Sequence, residues 1–331
     1  MVSVNMPAVL KYNPASRVKR MAKEFVGNIG GRLPVKCDVV IVNYNAGHWL
    51  VESVASAFAS GVHRVIVVDN ASLDNSLDEL NVTCAGEGLI ILRNSENLGF
   101  STACNLGARI TQSPAVLFLN PDCRLEQGAL DKMLDALSSA SDIGMVGGYL
   151  SNLDGSEQIG GRRSIPDPRR AFARAFGLSR LAKWFPMVFG DFSLHEQAIP
   201  DNPFPVEAIS GACMLVKKSA IDDVGLWDEE YFLHCEDLDW CMRFSLRGWK
   251  IMYVPDAKVT HVRGACSRSR PVFVEWHKHC GMIRFYRKFF RQQYHWLLWG
   301  AVVVGVWMRF AMVAVYLLAR KLMSLDGGRR V

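Results

Sequence analysis

Carboxylates, amides and one histidine recur in this 331-residue chain where an apolar stretch stops, and such residues bind nucleotides, metals and sugars. Asn43, Tyr44 and Asn45 close the stretch 37–42, where an amide or a phenol ring can hydrogen-bond to a base or stack on it. Asp69 closes 64–68 and can accept from a base N–H or a ribose hydroxyl, the job of an acidic residue beside a nucleoside; a carboxylate there also serves as a plain turn or helix cap. Asn94 to Asn97, Gly99 and Asn105 surround a third turn, whose small side chains let a sugar or phosphate approach the backbone. Asn120, Pro121 and Asp122 follow the stretch 115–119 and offer one carboxylate to a hard cation, which needs few protein ligands when it bridges a diphosphate. Further on, Glu236, Asp237 and Asp239 open a helical pattern. Acidic residues there complement the helix dipole, and one of them, held by the helix it begins, can act as a general base. His261 lies beyond the stretch 250–254, placed either to complete a metal site or to play a structural part.

The four apolar stretches are too short for helices and rich in Val, Ile and Leu, so they read as buried parallel strands. Helix-length segments 47–60, 74–80 and 101–111 separate them. This alternation predicts an open α/β sheet whose strand ends meet along one edge, where such sheets bind ligands. The first strand-to-helix turn lacks Gly-x-Gly-x-x-Gly, which argues against a dinucleotide oxidoreductase. A later apolar run, 206–216, reads as another strand and contains Gly211, a residue that permits close approach.

The formal net charge of +6 is unevenly spread. Segments 1–36, 162–183 and 263–291 hold 7, 7 and 8 Lys or Arg against one acidic residue each, a combined +19, while the rest of the chain carries −13. Basic surfaces of this kind suit a polyanion. No helix-turn-helix, zinc-finger or RNA-binding signature accompanies them, which speaks against nucleic acid. The mixture of Arg with Phe, Leu and Trp over 169–185 suits an amphipathic helix on anionic lipid. Residues 296–319 carry one charge, Arg309, and are long enough to cross a ~30 Å hydrocarbon core. On insertion scales a central Arg costs ~3 kcal/mol, against roughly 5 kcal/mol returned by the eleven Leu, Val and Phe of the stretch, so insertion is marginally favourable. Basic residues flank both ends and disfavour a single crossing. A helical pair broken near Gly300 and Gly305 would keep both ends on one side, as would a C-terminal helix docked on the domain. Nine cysteines without a Cys-x-x-Cys pair, and no apolar segment behind the N-terminal basic residues, predict a reduced, cytosolic setting.

Taken in order, Asn-Tyr-Asn, Asp-Asn-Ala-Ser, Asn-Leu-Gly-Phe, Asn-Pro-Asp, Gly-Ala-Cys-Met-Leu, Glu-Asp and a late His resemble the inverting family 2 glycosyltransferases, and among them the rhamnosyltransferases that extend lipid-linked glycans. The resemblance implies a GT-A fold, a Rossmann-like mixed, mostly parallel α/β sheet flanked by helices. Its parts would be a basic extension (1–35), a nucleotide-binding half (36–125), an acceptor-binding half (126–265) with a basic insertion at 160–200, and a membrane-associated region of apolar helices (266–331). It also implies that Asn43, Tyr44, Asn45, Asp69, Asn97, Gly99, Asn105 and Asn120 contact the nucleotide-sugar, and that Asp122 and His261 hold Mg²⁺ or Mn²⁺. Asp237, beside Glu236, would be the base, and Gly211, Ala212 and Trp240 would meet the acceptor. Asn120 departs from the common Asp-x-Asp metal motif. The expected reaction moves L-rhamnose from dTDP-L-rhamnose onto a polyprenyl-diphosphate saccharide of the cell envelope, at the cytoplasmic face of the membrane. The acceptor diphosphate would rest on Arg residues of 162–180 or 263–270. The competing expectations are a UDP- or GDP-sugar donor, or a membrane-anchored nucleotide-sugar-binding protein without turnover. A homodimer is compatible with all of these, and nucleic acid is not an expected partner.

Overall fold

Buried runs of Val, Ile and Leu build the sheet, and the polar residues that end them build its edge. The computed structural model describes residues 37–84, 86, 88–166, 198–262, 264, 270–293 and 295–327. The basic extension and the amphipathic segment expected over 169–185 lie outside these residues. β1 (Cys37–Asn43), β2 (Arg64–Asp69), β3 (Leu89–Arg93) and β4 (Ala115–Leu119) fall within a residue of the bounds read from sequence. Parallel ladders join them in the order β3-β2-β1-β4. β1 and β4 are buried along their whole length, as strands covered on both faces must be.

Side chains alternate between the two faces of a strand, so each strand feeds two cores. Val39, Ile41, Val65, Val67 and Leu117 pack on one side with Leu50 and Val54 of α1 (Trp49–Ala59) and Leu80 of α2 (Ser76–Cys84). Val40, Ile66, Val68 and Phe118 pack on the other with Ala103 and Ala108 of α3 (Phe100–Arg109). The chain thus steps outward from β1 to β3 and returns through α3 to β4 on the other side of β1. That reversal of strand order, at the carboxyl ends of β1 and β4, is where an open α/β sheet leaves a crevice.

The second half extends the same sheet. In chain order it contains β5 (Cys123–Leu125), α4 (Ala129–Ser138), β6 (Ile143–Ser151), β7 (Arg162–Arg163), β8 (Phe204–Pro205), β9 (Ala208–Ile209), β10 (Cys213–Lys217), α5 (Lys218–Val224), α6 (Glu236–Leu246) and β11 (Lys250–His261). The nine-stranded sheet runs β3-β2-β1-β4-β10-β6-β11-β5, with β8 on β11, while β7 and β9 form a separate pair. β10 lies antiparallel between β4 and β6, and β11 runs parallel to β6. Two sequence-based expectations change here. The run 206–216 is broken at Ser210–Ala212, so that β9 pairs with β7 and β10 enters the main sheet. The strand expected over 250–254 continues to His261, because a register shift between Val254 and Lys258 absorbs Pro255, which has no N–H to give the ladder.

Two helices follow, α7 (Pro271–Phe289) and α8 (Trp296–Gly327). α8 is a single uninterrupted helix, not a pair broken near Gly300 and Gly305. Each glycine costs about 1 kcal/mol relative to Ala, too little to stop a 32-residue run of better helix formers. Among the described helices it alone is long and apolar enough to cross a membrane. Its first half is docked: Trp307 and Phe310 meet Trp276 of α7 at ring distances of 4.9 and 5.5 Å, and Val306 joins the core that holds Phe285 and Tyr286.

Candidate active site

The crevice opens into a cleft of about 1260 Å³. A single small-molecule site occupies about 300–1,000 Å³, so this cleft is larger than one such site. Tyr44, Asn97 and Gly99 line its end near β1. Gly99 has φ +85°, and a Cβ there would lie 2.8 Å from the Phe232 carbonyl oxygen, so the turn admits only glycine without distortion. Asn43, Asn45 and Asp69 lie behind this lining, bonded to one another's loops. Asn43 Nδ2 is 2.7 Å from Asp69 Oδ1 and 2.9 Å from Ser76 Oγ; Asp69 Oδ2 accepts from Ser72 N, and Asn45 Oδ1 from Leu73 N. Asn70, which the sequence did not single out, does reach the cleft. It donates to Gly99 O and accepts from Asn94, tying three strand ends together.

Two assignments are corrected by packing. Asn105 is buried and fully engaged: its Nδ2 donates to Trp227 O (2.9 Å) and Glu229 Oε1 (2.8 Å), and its Oδ1 accepts from Trp227 N (3.0 Å). It fastens α3 to the 227–229 turn and does not line the cleft. Trp240 has no exposed surface. It faces the sheet from α6, 4.2 Å from the Trp227 ring, and its indole N–H is satisfied by Gly225 O, so it is core and does not meet an acceptor.

The extended β11 sets His261 opposite Cys123 in the β5 ladder and therefore beside Asp122. His261 Nε2 lies 3.2 Å from Asp122 Oδ1, and both side chains are buried. Gln158 decides the tautomer. Its Nε2 donates to Asn152 Oδ1 and to His261 O, so its Oε1, 2.6 Å from His261 Nδ1, accepts a hydrogen bond there. The Nε2 lone pair then faces a carboxylate oxygen. Two electron-rich atoms at this distance in a buried site call for a cation or a proton between them. One carboxylate, one imidazole and open directions toward the cleft suit a divalent ion that takes its remaining ligands from phosphate and water. Asp122 and His261 therefore fit the metal expected of them. The Cys123 thiol also lies within 4.8 Å of both donor atoms.

Asp237 stands on the first turn of α6, after two non-glycine residues in the left-handed region, His234 (φ 69°) and Cys235 (φ 70°). Such residues cost about 1–3 kcal/mol each and persist only where their surroundings over-determine them. Here Phe100 N holds Phe232 O at 2.8 Å, and Gly281 of α7 packs so closely that a Cβ would lie 2.7 Å from His234 O. Asp237 Oδ1 accepts from Leu238 N; Oδ2 accepts from Gly211 N (3.1 Å) and is ion-paired with Arg163. The break at Ser210–Ala212 thus does two jobs, since Ala212 O also accepts from Asn120 N at 2.9 Å and anchors the Asp122 turn. Glu236 is buried at the cleft, and its Oε2 has no partner among the described residues. Burial, reinforced by the neighbouring Asp237, pushes its carboxyl up to about 8. Glu236 therefore keeps its proton at neutral pH.

Tyr44, Asn97, Gly99, Asn120, Asp122, Gly211, Ala212, Glu236, Asp237 and His261 all line one cleft. Sequence reasoning did not pick out Asn70, Gln158, Arg163, Lys278 or Arg309 as individual site residues, yet all five line it as well. Arg163 fell inside a segment read as basic surface. Its neighbour Arg162 is buried instead, paired with Glu157 at 2.8 Å and flanked by Phe204 and Tyr253, and so is closed to an acceptor diphosphate.

Residues 38–224 match the model of glycosyl transferase family 2, and residues 159–325 that of glycosyl transferase family group 2. The chain belongs to glycosyl transferase family 2. Over 236 residues this family 2 chain is 30% identical to the N-acetylglucosaminyl-diphospho-decaprenol L-rhamnosyltransferase of Mycobacterium tuberculosis, covering 67% of this chain and 75% of that protein. It is 24% identical over 211 residues to the low-salt glycan biosynthesis hexosyltransferase Agl10 of Haloferax volcanii, covering 62% and 60% of the two chains. The mannosyltransferase PcManGT from Pyrobaculum calidifontis, solved with GDP-Man and Mn²⁺, superposes with a TM-score of 0.53 at 14% identity over 95% of this chain and 87% of its own. GalNAc-T7, solved with UDP, GalNAc and Mn²⁺, gives 0.52 at 17% identity over 70% of this chain and 44% of its own. The fold is GT-A, and the protein is a glycosyltransferase.

Proposed function

We propose that this protein transfers L-rhamnose from dTDP-L-rhamnose to a saccharide on a polyprenyl diphosphate, with inversion at the anomeric carbon. One observation carries the reading: the carboxylate of Asp237 and the Asp122–His261 pair face a single cleft whose outer wall is formed by the apolar helices α7 and α8. The 30% identity to a rhamnosyltransferase named for a lipid-diphosphate acceptor supports the choice of sugar and acceptor.

In this mechanism Tyr44 stacks on the nucleobase and Asn97 meets the sugar. Asp122 and His261 would hold the divalent ion, which when bound supplies Lewis-acid neutralisation of the leaving diphosphate. Asp237 takes the proton of the acceptor hydroxyl as that oxygen bonds to the anomeric carbon and the bond to the nucleoside diphosphate breaks. The N–H groups of Gly211 and Leu238 orient the carboxylate for this task. Glu236, kept neutral by burial, places no second negative charge beside it. α8 would hold the enzyme at a membrane surface bearing the acceptor, whereas Arg284 and Lys288 of α7 are paired with Asp228, Glu230 and Asp239.

The test is release of nucleoside diphosphate from dTDP-, UDP- and GDP-sugars with Mn²⁺ or Mg²⁺ and a lipid-diphosphate-GlcNAc acceptor. Turnover with dTDP-rhamnose, giving the inverted anomer by NMR, is expected. Turnover confined to a UDP- or GDP-sugar would overturn the donor, and a retained anomer would overturn the displacement. Donor binding without turnover under every condition would leave a nucleotide-sugar-binding protein.

A further inference from the structure

Arg309 is the sole charge in the stretch 296–319. A guanidinium among apolar residues needs partners or water, and the structure turns this one inward, toward α7. Its Nη1 lies 2.8 Å from Nε2 of His279. The His279 side chain is fully buried, and its Nδ1 sits 2.6 Å from Glu275 O. A carbonyl only accepts, so Nδ1 bears the hydrogen and Nε2 accepts from Arg309. Burial, with Arg309 nearby, pushes the imidazole below its ordinary range. His279 therefore orients the guanidinium without adding or cancelling charge, and the remaining N–H groups of its fork are available to an anion.

The surroundings select that anion. Arg309, Lys278, Arg270 and Glu275 line the same stretch of the cleft. Glu275 lies 3.4 Å from Lys278 and 3.6 Å from His279 Nδ1, and the lining here counts three cations, Arg309, Lys278 and Arg270, to this one carboxylate. The net of two positive charges matches a diphosphate diester. The rest of this wall is apolar, with Met282 and Phe285 from α7 and Val302, Val306 and Met312 from α8. Beyond it the outer face of α8 exposes Met308, Val315 and Leu318. An apolar trough therefore runs from exposed helix surface to a cationic fork, and the cleft continues from there to Asp237.

We infer that Arg309, oriented by His279 and assisted by Lys278, is the seat of the diphosphate of a polyprenyl-linked acceptor, whose chain lies along the α7–α8 trough and whose sugar reaches Asp237. This rests on the lipid-linked acceptor proposed above and gives it a location that differs from the Arg segments 162–180 and 263–270 expected from sequence. Arg270, at the end of the second segment, is the one overlap.

The test compares Arg309→Gln and Arg309→Lys with the unmutated protein, using dTDP-rhamnose and lipid-diphosphate-GlcNAc. The acceptor KM is expected to rise tenfold or more for Arg309→Gln and less for Arg309→Lys, with the donor KM unchanged. With an alkyl GlcNAc that lacks the diphosphate the penalty should disappear. An equal loss with both acceptors would mean a structural role, and an unchanged acceptor KM would remove Arg309 from the site; either overturns the inference. Sedimentation with phosphatidylglycerol vesicles separates the other source of phosphate: equal binding by both proteins is expected, and a loss confined to Arg309→Gln would assign the cation to bilayer headgroups instead. Thermal stabilisation by the lipid diphosphate without donor, present in the unmutated protein and lost in Arg309→Gln, reads the seat independently of turnover. An unmutated protein that is stabilised but inactive would count against the transfer reading and leave the seat standing.

Discussion

The two carboxylates that face the cleft are held in opposite ways. Asp122 confronts the lone pair of a buried imidazole whose other nitrogen is committed to Gln158. Asp237 is hydrogen-bonded at both oxygens and paired with the cation of Arg163. The first arrangement calls for a cation or a proton between its two atoms; the second is already satisfied. Chemically identical groups on one cleft are thereby sorted, one toward holding a cation and the other toward meeting a substrate proton. The sorting is done by their neighbours, since both follow directly on an apolar strand or begin a helix.

The comparison breaks most readily at Asp237. Asp237→Asn keeps the shape and removes the base, and sugar transfer is expected to fall by about 10²–10⁴-fold while donor binding, measured by calorimetry, persists; near-normal transfer would end the assignment. Next comes Arg163→Met, which leaves a largely buried carboxylate unpaired. Loss of one partner of a buried pair costs on the order of 3 kcal/mol, and thermal or denaturant unfolding should show most of that loss, with partial recovery in Arg163→Lys. No change in stability would mean that the pair is not formed in solution. On the Asp122 side, Gln158→Ala frees the His261 ring, and removal of such an outer partner costs about 10–100-fold in metal affinity. Titration of Mn²⁺-dependent activity measures it, and an unaltered Mn²⁺ requirement would detach Gln158 and His261 from the metal.

The remaining effect concerns Glu236 and depends on pH. Burial, reinforced by Asp237, raises its carboxyl in the folded chain from the ordinary 4.5 to about 8. The raised value means that this group's contribution is present in full below pH 4.5 and is lost as pH rises toward 8, because the unfolded chain releases its proton first. Glu236→Gln removes that dependence. Its melting temperature should match the unmutated protein at pH 4.5 and exceed it by a few degrees at pH 8.5. A constant offset at both pH values would show that Glu236 is ionised throughout.

Much of this arrangement was legible in the chain. β1 to β4 announced themselves because each is a β-branched run stopped by amides and carboxylates, and parallel strands force such stops to one edge. What the pattern could not say was which way a strand-end residue turns. Asn43 and Asp69 point at each other, since the loops they begin have N–H groups and hydroxyls to satisfy, whereas Tyr44 between them faces the cleft. Asn105 and Trp240 misled for a related reason: an amide and an indole can pair with a ligand, but equally with a backbone carbonyl 122 or 15 residues away in sequence. The closeness of His261 to Asp122 was hidden by Pro255, which reads as the end of a strand and is in fact carried through a bulge. Arg163 was hidden by company, as one arginine in a basic run whose burial depends on the β7–β9 pair.

The contact between Gly281 and the carbonyl oxygen of His234 bears on where this protein can be divided. With no room for even a methyl group between them, α7 acts as a buttress for the turn that carries Glu236 and Asp237. Trimming the chain after β11 would spare every atom from Asp122 to Asp237, yet it would also strip Phe285 and Tyr286 from the core and leave His234 and Cys235 to relax out of their left-handed backbone. A soluble fragment made that way would hold a complete set of site carboxylates in the wrong shape. A cut beyond the 3₁₀ turn Arg291–Gln293 keeps that buttress, at the loss of Val306 from the core and of Arg309 from His279.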